Sequence, residues 1–89
     1  MIKNRNEVGF TLCRLKSGQL VHGPVSEGTP TSVTFSTACP PGASLVALFH
    51  THPSGSAYPS AVDIQAARIS GAKALCIQND EKLVCYKVR

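Results

Sequence analysis

Two histidines at the end of an apolar run constrain this chain more than any other feature. His50 and His52 stand two positions apart, and residues 45–50 read as a buried central strand. In an extended strand, residues i and i+2 point to the same face of the sheet. The two imidazoles can therefore be directed at one point, while the side chain of Thr51 faces away.

An aspartate follows the histidines at the start of a predicted helix. Asp63 lies eleven residues after His52, and Ser60 stands where the helix N-cap is expected. If the intervening loop folds the helix start over the strand end, one carboxylate joins two imidazoles. Two histidines and one carboxylate leave a fourth position open, which is the arrangement of a catalytic zinc site rather than of a structural one.

The same residues also support a purely structural interpretation. Ser60 and Asp63 have the spacing of an ordinary capping box, in which the serine accepts from a backbone N–H and the acid reaches back. Ser60 can cap the helix and still face the site. For Asp63 the two interpretations compete, because one carboxylate cannot easily cap and ligate at once. The joint spacing of the histidines, the serine and the aspartate favours the metal site.

This spacing resembles the motif of the JAMM (MPN+) metalloproteases. His-x-His, seven residues, Ser, two residues and Asp follow one another without a gap, and Pro53 and Pro59 also fit. The remaining element of that family is a glutamate on an early strand, and Glu7 resembles it. The resemblance extends over essentially the whole chain, from Glu7 to the last strand.

The resemblance implies a zinc hydrolase that cleaves isopeptide or peptide bonds with one Zn²⁺ per chain. His50, His52 and Asp63 would bind the metal. Glu7 would be the general base, and the Ser60 hydroxyl would donate to the developing oxyanion. The substrate would be a protein or peptide, such as a ubiquitin-like conjugate. A RadC-like nucleic-acid-associated protein and a non-catalytic MPN-type binding module stay open as alternatives.

Four other residues carry side chains that are relevant to this site. Thr51 either stabilises its strand or contacts the substrate, and Tyr58 is a candidate for lining a substrate groove. Glu27, in a loop-like context, is the rival of Glu7 as general base. His22 has no partner in the sequence and is expected at a strand end.

Length, charge and hydropathy set the wider limits. Eighty-nine residues are expected to form one domain, residues 1–89, with a thin core margin. The net charge of +4 comes without a basic run, so nucleic acid is not supported as a partner. The chain has neither a transmembrane-length apolar run nor a secretory signal, so the expected location is cytoplasmic. The oligomeric state stays open, with a homodimer among the alternatives.

The four cysteines form no C-x-x-C pair, which argues against a cysteine-type zinc site. Cys13, Cys76 and Cys85 lie in apolar runs and are expected to be reduced, as small hydrophobic residues. Cys39 precedes two prolines and a glycine, and it is the cysteine most open to reaction or to a bridge.

The patterning predicts an α+β fold with a curved mixed sheet and one main helix beside the zinc site. Strands are predicted at residues 7–15, 19–25, 32–36, 45–50, 72–78 and 82–88, and the helix at 61–70. Val62, Ala66 and Ile69 are its predicted apolar face. The resemblance implies a minimal version of the JAMM and cytidine-deaminase-like core, because a Pro/Gly-rich loop replaces the helix that usually precedes the histidine strand.

Overall fold

A mixed β-sheet carries one helix on one of its faces. The computed structural model describes residues 6–30, 33–34, 37–53 and 55–88. The elements in chain order are β1 (Val8–Arg14), β2 (Leu20–His22), β3 (Ser26–Glu27), β4 (Ser44–Thr51), α1 (Ala61–Ser70), β5 (Ala74–Gln78) and β6 (Leu83–Lys87). The predicted α+β class and the predicted helix are confirmed.

The strand that ends in the histidines lies in the middle of the sheet. The strand order is β2-β1-β4-β5-β6, and β3 also pairs with β1. Strands β4 and β5 are parallel and are connected through α1, while the other pairs are antiparallel. Because β4 has a neighbour on each side, its end is fixed by hydrogen bonds to both β1 and β5.

The hydrophobic core lies between the sheet and α1. Burial alternates along β1, so that every second side chain of this strand faces the core. Apolar residues from three elements and from the turn after α1 fill the space, and the buried ones are Leu48, Ala67, Ala72, Leu75 and Ile77. This layer positions the end of β4 against the start of α1.

The helix packs through a different face from the predicted one. Ala67 is fully buried and Ile64 packs against the core, whereas Val62 and Ile69 are 77% and 76% exposed. The prediction that Val62, Ala66 and Ile69 form the buried face was therefore wrong. The methyl group of Ala67 permits a close approach to the sheet, and the larger residues of the neighbouring face stay outside.

Several boundaries also differ from the predicted ones. Strand β2 is shorter than residues 19–25, because the proline at position 24 has no N–H to donate to a ladder. Residues 26–27, predicted as loop, pair with β1. Of the strand predicted at residues 32–36, Val33 and Thr34 are described and lie outside any strand, and the other three residues lie outside the described part.

Two disulfides correct the expectation of free thiols. Cys13–Cys39 joins β1 to the loop before β4, and Cys76–Cys85 joins directly paired positions of β5 and β6. The expectation that Cys13, Cys76 and Cys85 are reduced was wrong, whereas a bridge at Cys39 had been left open. Cys76 and Cys85 become neighbours only through the register of two strands, which cysteine spacing in the sequence does not reveal.

The loop before β4 contains no helix within its described residues, 37–43, as the Pro/Gly content of this segment predicts. On the sheet face opposite α1, the rings of Phe10 and Phe49 stack with centroids 4.6 Å apart and are half-buried. Within the described residues, no helix combines the length and the apolar character needed to cross a bilayer.

We expect Cys39→Ser to lower the free energy of unfolding by about 2–4 kcal/mol, because the Cys13–Cys39 bridge restricts the unfolded chain. Urea unfolding followed by circular dichroism measures the difference. In a strong reductant the bridge is absent from both proteins, so the difference should disappear. A variant as stable as the wild type under oxidising conditions would contradict a stabilising bridge.

Candidate metal centre

The end of β4 and the start of α1 face each other across a cleft. Its volume is about 710 Å³, and its lining consists of Glu7, Pro30, Val33, Thr34, His50, His52, Gly55, Ser60, Val62 and Asp63. All five residues predicted to bind the metal or to act in catalysis are in this lining. They come from three separate parts of the chain that the sheet and the helix bring together.

The two imidazoles lie side by side, as their i, i+2 spacing predicts. The ring centroids of His50 and His52 are 4.8 Å apart. Nδ1 of His52 lies 2.8 Å from the carbonyl oxygen of Ser56. A carbonyl can only accept, so this contact requires an N–H at Nδ1 and leaves the lone pair of Nε2 in the neutral ring available for a metal.

The start of the helix brings the Asp63 carboxylate to both imidazoles. Its Oδ2 lies 3.6 Å from Nε2 of His50 and 3.5 Å from Nε2 of His52. The same oxygen accepts a hydrogen bond from the backbone N–H of Ser60 at 2.9 Å, and the Ser60 hydroxyl accepts from the backbone N–H of Asp63 at 3.1 Å. The capping box and the approach to the imidazoles therefore coexist in one carboxylate.

Glu7 reaches the cleft from the residue just before β1. Its backbone N–H donates to Thr29 at 2.7 Å and its carbonyl accepts from Gly28 at 2.8 Å, which fixes the backbone. The residue is only 7% exposed. Burial raises the pKa of its carboxyl. The nearby His52 lowers this pKa in part, and Asp63 raises it further. A carboxylate with a raised pKa is a better proton acceptor, as a general base requires.

Glu27, the rival of Glu7 as general base, is not part of the cleft lining. Glu27 is paired with Val8 across β1 and β3, so its side chain points to the sheet face opposite that of Glu7. Its carboxylate accepts a hydrogen bond from the Asn6 amide at 2.7 Å. Of the two glutamates, the cleft lining includes Glu7 alone.

His50 carries a buried nitrogen that lacks a hydrogen bond. The residue is 6% exposed, and its Nε2 has no hydrogen-bond partner among the described residues. Burial lowers the pKa of His50. The nearby Asp63 raises this pKa in part, and His52 lowers it further. The ring is therefore held in its neutral form, which is the form that binds metals. A metal ion would satisfy a nitrogen whose isolation costs roughly 1–3 kcal/mol.

The spacing of the ligand atoms suits one small metal ion. Atoms of Glu7, His50 and His52 lie within 4.8 Å of one another. In a tetrahedral zinc site with bonds of about 2.0–2.2 Å, neighbouring ligand atoms are about 3.3–3.6 Å apart. The distances from Asp63 Oδ2 to the two imidazole nitrogens match that range. These nitrogen and oxygen donors could therefore hold a small metal ion such as zinc.

Two residues with predicted substrate contacts are absent from the cleft lining. The Thr51 hydroxyl accepts from the backbone N–H of Val8 at 2.9 Å and so fixes β1 next to Glu7. Tyr58 is 57% exposed, and its ring centroid lies 6.0 Å from that of Tyr86. The predicted contacts of Thr51 and Tyr58 with a substrate stay predictions.

Part of the cleft lining was not predicted. Pro30, Val33 and Thr34 belong to it, and Val62, predicted to be in the core, contributes from α1. These residues carry no motif or periodic pattern. Pro30 lies beside Glu7 because β3 pairs with β1 and the carbonyl of the preceding Thr29 accepts from the Glu7 N–H.

We expect His50→Leu to change the free energy of unfolding of the metal-free protein by less than about 1 kcal/mol, because the substitution removes an unpaired buried nitrogen. With a divalent metal ion at about 100 times its Kd, the wild type should gain about 2.7 kcal/mol and the variant nothing. Thermal unfolding with a chelator and with zinc measures both differences. His22→Leu, which changes an exposed histidine away from the cleft, should respond to zinc like the wild type. An equal zinc response in the His50→Leu protein would contradict the site.

Comparison with known families agrees with this geometry. A family model described as prokaryotic homologs of the JAB domain matches residues 8–87, which include every strand and the helix. Comparisons with curated proteins and with solved structures gave no match. The match to the family model covers most of the chain and agrees with the resemblance to the JAMM motif. The chain therefore belongs to the family of prokaryotic homologs of the JAB domain.

Proposed function

We propose that this protein is a zinc-dependent hydrolase that cleaves isopeptide or peptide bonds. The observation that carries the proposal is the approach of one Asp63 oxygen to Nε2 of both His50 and His52, in a cleft that also contains the buried Glu7. In this proposal the two histidines and Asp63 hold one zinc ion per chain. Membership of the JAB family supports the assignment.

Asp63 is the proposed ligand and Glu7 the proposed base for two reasons. The spacing of 3.5–3.6 Å from Asp63 to the imidazole nitrogens is that of atoms sharing one zinc ion. The Glu7 carboxyl has a pKa raised by burial, so it takes up a proton more readily than an ordinary glutamate. A carboxylate bound to a metal would lose that capacity.

The zinc ion, when bound, supplies a Lewis acid that polarises a carbonyl and lowers the pKa of water to about 7. Glu7 accepts the proton of the attacking water and passes it to the leaving amine. The hydroxyl of Ser60 accepts from the backbone of Asp63 and keeps its own O–H free to donate to the oxyanion. No covalent intermediate with the protein is needed.

The proposed substrate is an extended protein or peptide segment. Apolar side chains of Pro30, Val33 and Val62 line the cleft together with its polar residues, which suits a peptide that offers both apolar and polar groups. A ubiquitin-like conjugate is the proposed source of that segment, on the resemblance to JAMM isopeptidases. Neither nucleic acid nor a membrane is part of the proposal, and the oligomeric state stays open.

The cytoplasmic location also stays a prediction. The two disulfides count against it, because cytosolic thiols are normally kept reduced. Alkylation of free thiols at the moment of cell lysis, followed by mass spectrometry, distinguishes the two cases. A protein with four alkylated cysteines was held in a reducing compartment.

We expect Glu7→Gln to keep zinc and fold but to lose hydrolysis, because an amide cannot accept the proton. The assay follows cleavage of a ubiquitin-like fusion, and elemental analysis checks the zinc content. Glu27→Gln is the matched control, because it makes the same change on the opposite face of the sheet. Its activity should equal that of the wild type.

Each alternative outcome of this comparison has a distinct meaning. Full activity of Glu7→Gln combined with loss in Glu27→Gln would transfer the role to Glu27. A wild type that binds zinc but cleaves none of a panel of isopeptide and peptide substrates would favour the non-catalytic binding module.

Ser60→Gly separates the two roles of the serine. Glycine replaces serine at an N-cap at a cost of only a few tenths of a kcal/mol, yet it has no hydroxyl. We expect a folded, zinc-loaded protein whose turnover falls by roughly 10²–10³-fold, as is typical when an oxyanion donor is removed. Steady-state kinetics measure the change, and near-normal kcat would reduce Ser60 to a structural cap.

A further inference from the structure

The β5–β6 hairpin holds the part of the chain that orients His52. The backbone N–H of His52 donates to the carbonyl of Gln78 at the end of β5, at 2.8 Å. Residues 55–59, here called the site loop, then pass beside the same hairpin. The hairpin itself is cross-linked by Cys76–Cys85, so the site loop lies against a constrained support.

Asn79 attaches the first carbonyl of the site loop to the hairpin. Its Oδ1 accepts from the backbone N–H groups of Glu81 and Lys82, both at 2.9 Å, which shapes the hairpin turn. Since these two donors require the oxygen on their side, the NH₂ group faces the other way. There it donates to the carbonyl of Gly55 at 3.2 Å.

Tyr86 attaches a second carbonyl of the site loop. Its hydroxyl donates to the carbonyl of Ala57 at 3.3 Å, and Ala57 is fully buried. The ring of Tyr58 packs against that of Tyr86 and carries the Lys82 ammonium 5.1 Å from its centroid. The ring of Tyr86 therefore has a packing partner beside the contact.

The residue between the two attached carbonyls is the one that contacts His52. The Ser56 carbonyl lies 2.8 Å from His52 Nδ1, and its neighbours in the chain, Gly55 and Ala57, are the two residues held by the hairpin. A carbonyl fixed on both sides can accept from only one ring orientation. That orientation directs Nε2 of His52 toward Asp63.

We propose that Asn79 and Tyr86 are positioning residues for His52, which set the metal affinity of the site without touching the cleft. They fix the Ser56 carbonyl, which in turn fixes the tautomer and direction of the imidazole. The inference rests on the proposed zinc site. Loss of a direct outer partner of a metal-binding histidine typically lowers metal affinity by 10–100-fold. Asn79 and Tyr86 act one step further out, through the Ser56 carbonyl, so the loss of either should fall at the lower end of that range.

Asn79→Asp and Tyr86→Phe test the two attachments separately. Aspartate keeps an oxygen for the N–H groups of the hairpin turn but has no NH₂ to donate to Gly55. The added negative charge of the aspartate would by itself strengthen the binding of Zn²⁺. Weaker zinc binding in this variant would therefore come from the lost NH₂ group and not from the charge. Phenylalanine keeps the ring of Tyr86 and removes only the hydroxyl. Tyr58→Phe, which removes a hydroxyl from a mostly exposed ring of the same cluster, is the control.

Two measurements on the full chain decide the inference. Competition with a chromophoric chelator gives the zinc Kd, which should be about 10-fold weaker in both variants and unchanged in Tyr58→Phe. Nitrogen–proton NMR of the zinc-free protein reports the His52 tautomer, which should be Nδ1–H in the wild type and mixed in the variants. Variants that keep the wild-type zinc Kd and the Nδ1–H tautomer would overturn the inference. A wild type that binds no zinc would instead refute the proposed function, and the tautomer alone would then decide for or against the positioning role.

Discussion

The rest of the site depends on one Asp63 oxygen that contacts both the start of α1 and the end of β4. Oδ2 accepts from the Ser60 N–H, which starts the helix, and lies 3.5–3.6 Å from both imidazole nitrogens at the end of β4. The helix start and the strand end are therefore linked through one carboxylate. The sequence alone presented capping and ligation as alternatives for Asp63, but a carboxylate oxygen has room for both because it carries more than one lone pair.

Burial of the polar residues of this centre lowers the free energy of unfolding, and a small chain has little of it to spare. Glu7 and His50 are both nearly inaccessible, and Nε2 of His50 is without a hydrogen bond among the described residues. A buried nitrogen without a hydrogen bond is expected where a fold is prepared for an ion or a ligand. The two disulfides restrict the unfolded chain and so offset part of this cost.

Local rules made much of the fold and the candidate site predictable. The i, i+2 spacing placed His50 and His52 on one face, and the Ser60 cap gave the helix at its observed bounds. What failed depended on how the elements pair and pack. The pairing of Cys76 with Cys85 follows from strand register, and the exposure of Val62 follows from how closely Ala67 approaches the sheet. Neither outcome follows from the spacing of the residues alone.

Zinc content after dialysis is the most direct test that two histidines and Asp63 form one metal site. Elemental analysis should find one zinc per chain in the wild type. Asp63→Asn keeps an oxygen for the Ser60 N–H and should preserve the helix by circular dichroism, yet it should lose stoichiometric zinc, as should His52→Ala. One zinc per chain retained in both variants would contradict the account.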